Sequence, residues 1–162
     1  MIAEAAARRL IEAARAAGWK IAAAESCTGG LVSAAITDIA GSSDVFDRGF
    51  VTYSYPAKVA LLDVPQQLLV AHGAVSEPVA RAMAEGALRA SDADLALAVT
   101  GVAGPGASEA KPEGLVWFAT ATAEETRSER RDFGARGRAR VRQMSVETAL
   151  ALALQAIPGR GP

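Results

Sequence analysis

The 162-residue sequence is short of the side chains that most metal sites and proton-transfer sites use. It has one cysteine, Cys27, and one histidine, His72. A single cysteine excludes an internal disulfide, and one of each makes a protein-only zinc site of the usual His/Cys kind implausible. Lysine is scarce too, with only Lys20, Lys58 and Lys111. An excess of charge is also missing: 17 Lys and Arg against 18 Asp and Glu leave a formal net charge of −1. That balance argues against nucleic acid as the main partner, because neutralising phosphates needs a concentrated positive surface. No stretch approaches the roughly 20 apolar residues of a membrane span. Residues 1–10 mix Glu4, Arg8 and Arg9 into an alanine-rich segment. They lack the basic start and apolar block of a signal peptide, so the expected location is the cytoplasm.

Apolar residues are plentiful, at 51% of the chain. Alanine supplies much of that share, so core contacts should be small and numerous. The length suits one full core and is too short for two ordinary domains. We expect a single domain over residues 1–157 and a disordered tail over 158–162. Helical formers over 3–17 end at Gly18, and an apolar run over 19–24 reads as a buried strand. A helix over 28–39, entered through a polar glycine-containing turn, precedes a strand over 46–54. Short helices follow over 56–62 and 65–71, since proline is tolerated in a first turn. Ser76 then caps a helix running to about residue 90. Strands over 95–99, 115–122 and 127–133 and a closing helix over 138–156 complete the pattern. Alternating strands and helices imply a three-layer α/β/α sandwich with a mixed, mostly parallel sheet. The close spacing of the last two strands allows one antiparallel hairpin.

Ser26 draws attention first. It follows a strand and precedes Thr28-Gly29-Gly30 and a helix, which places it at the sheet edge where α/β ligands usually bind. The amides of Thr28, Gly29 and Gly30, with the helix N-terminus, could form an oxyanion hole. A plain N-cap at Ser26 or Thr28 is an equal competitor on local sequence. His72 sits at a helix end before Gly73 and is poorly placed as a base, so a lysine must be considered. Lys58 falls in the first turn of a helix, where a cation opposes the helix dipole and its pKa should drop. A neutral amine there could act as a base, against the alternative of a solvated surface lysine. Tyr53 ends the preceding strand and could relay a proton or donate a hydrogen bond, unless it is simply a core aromatic with its hydroxyl at the rim. The segment Gly101-Val102-Ala103-Gly104-Pro105-Gly106 fits neither the dinucleotide fingerprint nor a P-loop. A substrate-covering loop containing Gly101 and Gly104 suits it better. For most of the arginines between Arg127 and Arg142, a solvated face is favoured over a polyanion site.

Several blocks together resemble the CinA C-terminal domain family. They are Ala24-Glu25-Ser26-Cys27-Thr28-Gly29-Gly30, Thr37-Asp38-Ile39-Ala40-Gly41-Ser42-Ser43 and Arg48-Gly49-Phe50-Val51-Thr52-Tyr53-Ser54, then His72-Gly73-Ala74-Val75-Ser76-Glu77-Pro78, Gly101-Val102-Ala103-Gly104-Pro105 and Lys111-Pro112-Glu113-Gly114. The resemblance runs from about residue 5 to 155, and the family contains the nicotinamide-nucleotide amidases. It implies metal-free hydrolysis of nicotinamide mononucleotide to nicotinic acid mononucleotide and ammonia in pyridine-nucleotide salvage, with no cofactor. It places the nucleophile at Ser26, a supporting tyrosine at Tyr53 and a lysine at Lys58. A family Gly-Asp-Arg segment before the last helix reads Arg136-Gly137-Arg138 here. That makes Arg138 the choice for the substrate phosphate and Arg142, one turn later, its rival. The loop 101–114 looks shorter than is usual in the family. In many members the domain follows a larger N-terminal one, which has no counterpart within these residues.

The expected mechanism is acyl transfer by Ser26, with Lys58 aided by Tyr53 as base. Two alternatives remain at this point: a non-catalytic nucleotide-binding or regulatory module of the same fold, and an amidase for another small amide. The expected partner is a small-molecule nucleotide, with neither nucleic acid nor membrane, and a homo-oligomer is left open.

Overall fold

Ile21–Glu25, apolar except for its last residue, forms strand β1, and all five residues are buried. A computed structural model describes residues 3–159. In chain order the elements are α1 (Glu4–Ala17), β1, α2 (Leu31–Thr37), a short 3-10 turn (Ser42–Asp44), β2 (Phe46–Val51), α3 (Tyr55–Leu62), α4 (Gln66–His72), α5 (Glu77–Arg89), β3 (Leu95–Gly101), β4 (Leu115–Ala121), β5 (Thr126–Asp132) and α6 (Arg138–Ala156). The sheet order is β2-β1-β3-β4-β5. β1 pairs in parallel with β2 and β3, while β4 is antiparallel to both β3 and β5. Only β4 therefore runs against the rest, and the sheet is mixed and mostly parallel as expected.

The two faces of the sheet differ in bulk, and this sets the helix layers. One face presents Ile21, Leu95, Leu97, Val99, Val116 and Phe118 to a layer made by α1, α2 and α6. The other presents mainly alanines (Ala22, Ala24, Ala96, Ala98, Ala119 and Ala121), with the partly buried Phe50 and Trp117 beside them, to α5 with α3 and α4 behind it. The flat alanine face lets α5 sit close. The same economy recurs one layer out, where a Cβ on Gly86 of α5 would stand 2.0 Å from the Leu62 carbonyl oxygen. Strand residues alternate between these faces because successive side chains point to opposite sides.

Local departures from expectation have specific causes. The helix expected from residue 28 begins at Leu31, because Gly29 (φ 57°) and Gly30 (φ 101°) hold the turn left-handed. Ser76 occupies the N-cap of α5, but its hydroxyl donates to the Gly73 carbonyl at 2.8 Å instead of accepting a helix amide. Ser54 does cap its helix, accepting the Ala57 amide at 3.1 Å. The arginines of β5 are largely solvated, with Arg127 paired to Glu125 at 2.6 Å and Arg131 paired to Glu129. Pro158 and Gly159 form a turn, and the rest of the expected tail, 160–162, lies outside the described residues.

Candidate active site

The site is built on the carboxyl ends of β1 and β3. The Ser26 amide donates to the Val99 carbonyl at 2.9 Å, extending the strand register by one residue and fixing where the serine leaves the sheet. The turn that follows is organised by Glu25, a residue the sequence reading did not single out. Its fully buried carboxylate accepts the amides of Gly30 (3.0 Å), Val32 (3.0 Å) and Ser33 (2.8 Å) and the Ser33 hydroxyl (2.7 Å). An internal anion thus satisfies the head of α2 and its dipole, a role considered above for Ser26 or Thr28. Of the three amides expected to hold an oxyanion, Gly30 is spent on Glu25, and Gly29 donates to the Ser26 carbonyl at 3.0 Å. Thr28 keeps the one amide of the three without a protein acceptor among the described residues. An acid at a strand end followed by a Gly-Gly helix entry is the sequence signal for Glu25.

Lys58 sits in the first turns of α3 and is 1% exposed. Its Nζ lies 2.9 Å from Ser26 Oγ and donates to the Thr52 carbonyl at 2.6 Å. Burial drives the lysine down to about 8, against the opposing influence of nearby acids. Cys27 beside it is pushed up to about 12, chiefly by burial. It therefore stays a neutral thiol, which leaves Glu109 as the anion acting on Lys58 near neutral pH. The competing picture of a solvated surface lysine does not describe this side chain.

Ser26 and Lys58 open into a cavity of ≈ 260 Å³ that Tyr53, Gly101, Gly104 and Arg138 also line. Tyr53 is 59% exposed at its rim, and its hydroxyl accepts from Arg138 Nη2 at 2.7 Å. Arg138 also donates to the Gly104 carbonyl at 2.9 Å, and no carboxylate pairs with it among the described residues. Arg142 does not line the cavity. Its Nε and Nη2 donate to the carbonyls of Cys27 (3.2 Å) and Thr28 (3.0 Å), bracing the serine turn. His72 ends α4, and its carbonyl accepts from Lys111 at 2.7 Å. Three further cavity residues escaped the sequence reading: Tyr55, Thr100 and Glu109. Among the described residues, no three His, Cys, Asp or Glu side chains cluster as metal ligands, and no helix is long and apolar enough to cross a membrane.

A serine hydroxyl within reach of a buried, weakly basic lysine, at the carboxyl edge of an α/β sheet, is equipped for acyl transfer. The comparisons with known proteins agree with that class. Residues 3–157 match the CinA C-terminal domain family, and the chain belongs to that family. It is 51% identical over 140 residues to the nicotinamide-nucleotide amidohydrolase PncC of Escherichia coli K12, covering 86% of this chain and 85% of that protein. A CinA-like protein of Syntrophobacter fumaroxidans is 53% identical over 142 residues, or 87% of this chain and 33% of the relative. A putative competence-damage inducible protein of Symbiobacterium thermophilum is 64% identical over 105 residues, 64% of this chain and 25% of the relative. The chain thus spans only a quarter to a third of the length of these last two relatives. The crystal structure of the competence/damage inducible protein CihA from Agrobacterium tumefaciens superposes with a TM-score of 0.90, at 46% identity and 96% coverage of both chains.

Proposed function

We propose that this chain hydrolyses the carboxamide of nicotinamide mononucleotide to nicotinic acid mononucleotide and ammonia. The observation that carries the reading is the 2.9 Å approach of Lys58 Nζ to Ser26 Oγ, with the lysine buried and near pKa 8. The E. coli relative, matched over most of both chains, supplies the substrate class. In the reaction, neutral Lys58 takes the Ser26 proton as Oγ bonds to the carboxamide carbon. The oxyanion is met by a donor in the serine turn, for which the uncommitted Thr28 amide is the candidate. Collapse breaks the C–N bond, and the lysine ammonium protonates the departing amide nitrogen, which leaves as ammonia. Water, deprotonated by the same lysine, then releases the acid and restores Ser26. Tyr53 supports this from the rim, where its hydroxyl holds Arg138. Arg138, unpaired with any described carboxylate, takes the phosphate as a charge-assisted pair.

The test is ammonia release from a panel of pyridine nucleotides by the wild type and Ser26→Ala. The variant should remain folded and bind nicotinamide mononucleotide, yet turn it over at least about a thousandfold more slowly. Near-normal turnover would remove Ser26 from the chemistry. A wild type acting only on uncharged amides would move the substrate elsewhere.

A further inference from the structure

The loop after β3 contains a turn that its own residues do not favour. Ser108 and Lys111 exchange backbone hydrogen bonds at 3.0 and 2.8 Å, and the two residues between them, Glu109 (φ 53°) and Ala110 (φ 58°), are both left-handed. Turns with two left-handed central residues are normally made with glycine, asparagine or aspartate, and a Cβ disfavours that conformation. Such geometry persists where the surroundings over-determine it.

The surroundings here are the chain at 72–75. The Glu109 carboxylate accepts the Val75 amide at 3.2 Å, the Ala74 amide at 3.3 Å and the Tyr55 hydroxyl. Lys111 Nζ donates to the carbonyls of His72 (2.7 Å) and Val75, and lies 3.7 Å from Glu109 Oε2. Thr100 adds a hydroxyl bond to the Ala74 carbonyl at 2.8 Å. Side chains of one loop thus bind both amides and carbonyls of a segment that has no sheet partner. Glu109 sits so close that a Cβ on Gly73 would stand 2.6 Å from its carboxylate oxygen. Ala74, Val75 and Glu109 all line the cavity that holds Ser26 and Lys58.

We propose that Glu109 is a positioning residue: with Lys111 it latches the turn 108–111 onto residues 72–75, closing one wall of the substrate cavity and setting substrate affinity. The proposal rests on the amidase reading of that cavity. Around Glu109 stand the Tyr55 phenol and Lys58 from α3 and Lys111 from its own turn, with Arg138 of α6 lining the same cavity. Burial works against the ionised carboxylate, yet bonds from Tyr55, Val75 and Ala74 and the charge of Lys111 outweigh it. They hold Glu109 below the ordinary carboxylate range, so the latch stays charged at neutral pH. Its charge in turn favours the protonated form of Lys58.

The experiment compares wild type, Glu109→Gln, Lys111→Met and Ala110→Gly. It follows kcat and KM for nicotinamide mononucleotide across pH, together with hydrogen exchange of the Val75 amide. Glu109→Gln should raise KM about tenfold or more and speed Val75 exchange by a similar factor, as expected for losing a charge-assisted bond. It should also move the acid limb of the rate profile to lower pH, because removing an anion favours neutral Lys58. Lys111→Met opens the same latch but keeps the Glu109 charge, so KM should rise without that downward shift. Ala110→Gly eases the turn and leaves the latch intact, so KM and exchange should match wild type. Unchanged KM and Val75 exchange in Glu109→Gln would overturn the proposal, as would a raised KM with an unmoved limb. A wild type inactive on every pyridine nucleotide would sink the amidase reading instead, and Val75 exchange would still report on the latch.

Discussion

The Glu25 carboxylate receives both the amide and the hydroxyl of Ser33, at 2.8 and 2.7 Å, with no exposure to solvent. The pair ties the end of β1 to the first turns of α2 across the serine turn. An anion that would otherwise be recruited from a ligand is therefore built into the fold. This frees the cavity from the usual dependence of α/β sites on a helix N-terminus.

Glu25→Gln tests that arrangement. The amide group places two donors among four donors, so at least one bond becomes a repulsion and others lose their charge. The expected loss is about 3 kcal/mol in stability, read from urea unfolding monitored by Trp19 and Trp117 fluorescence. A loss below about 0.5 kcal/mol would show that the carboxylate is incidental to the turn.

The pH dependence of turnover follows from Lys58. Its folded pKa lies below the ordinary value of 10.5, at about 8, and in the proposed mechanism the neutral form is the base. Activity should therefore climb with pH along a limb centred near 8 and level off above it. Lys58→Arg keeps the cation but cannot deprotonate, so it should be nearly inactive at every pH. A mostly active arginine variant would mean that position 58 contributes charge alone.

How much of this was legible beforehand depends on how far each feature reaches along the chain. The closing helix was read to both its ends, Arg138 and Ala156, because helix formers and the Gly137 entry are local signals. Lys58 could be singled out because a cation in a first turn is locally unfavourable, and the fold brings it to Ser26, 32 residues away. Glu109 escaped notice because its partners lie on distant elements, so no periodicity or spacing marks it, whereas the local signal for Glu25, an acid before a Gly-Gly helix entry, was passed over in favour of the neighbouring Ser26. The amides of Gly29 and Gly30 were assigned to a ligand because a sequence does not show that Ser26 and Glu25 already accept them. Arg138 was preferred for the phosphate with Arg142, one turn later, as its rival, and packing sends Arg138 to the cavity and Arg142 to the backbone behind it.

Arg142 should accordingly behave as a brace. Arg142→Ala leaves the Cys27 and Thr28 carbonyls without their charged donor and loosens the turn that carries Ser26. About 1.5 kcal/mol of lost positioning corresponds to roughly a tenfold fall in kcat. Because the brace makes no contact with the cavity, the fall should be the same for nicotinamide mononucleotide and for its riboside. A loss confined to the nucleotide would place Arg142 on the phosphate after all.

Arg138 should show the opposite signature. Its guanidinium is aimed into the cavity mouth by the Tyr53 hydroxyl and the Gly104 carbonyl, and no described carboxylate neutralises it. A phosphate bound there gains a charge-assisted pair worth about 1.5–3 kcal/mol, or roughly ten- to a hundredfold. Arg138→Ala should lose that factor in kcat/KM on nicotinamide mononucleotide and hardly alter a slow reaction with nicotinamide riboside. Tyr53→Phe, which removes the hydroxyl that orients Arg138, should reproduce a smaller part of the same nucleotide-selective loss. If both variants slow the nucleotide and the riboside equally, Tyr53 acts on the chemistry at Ser26 and Lys58, and Arg138 does not read the phosphate.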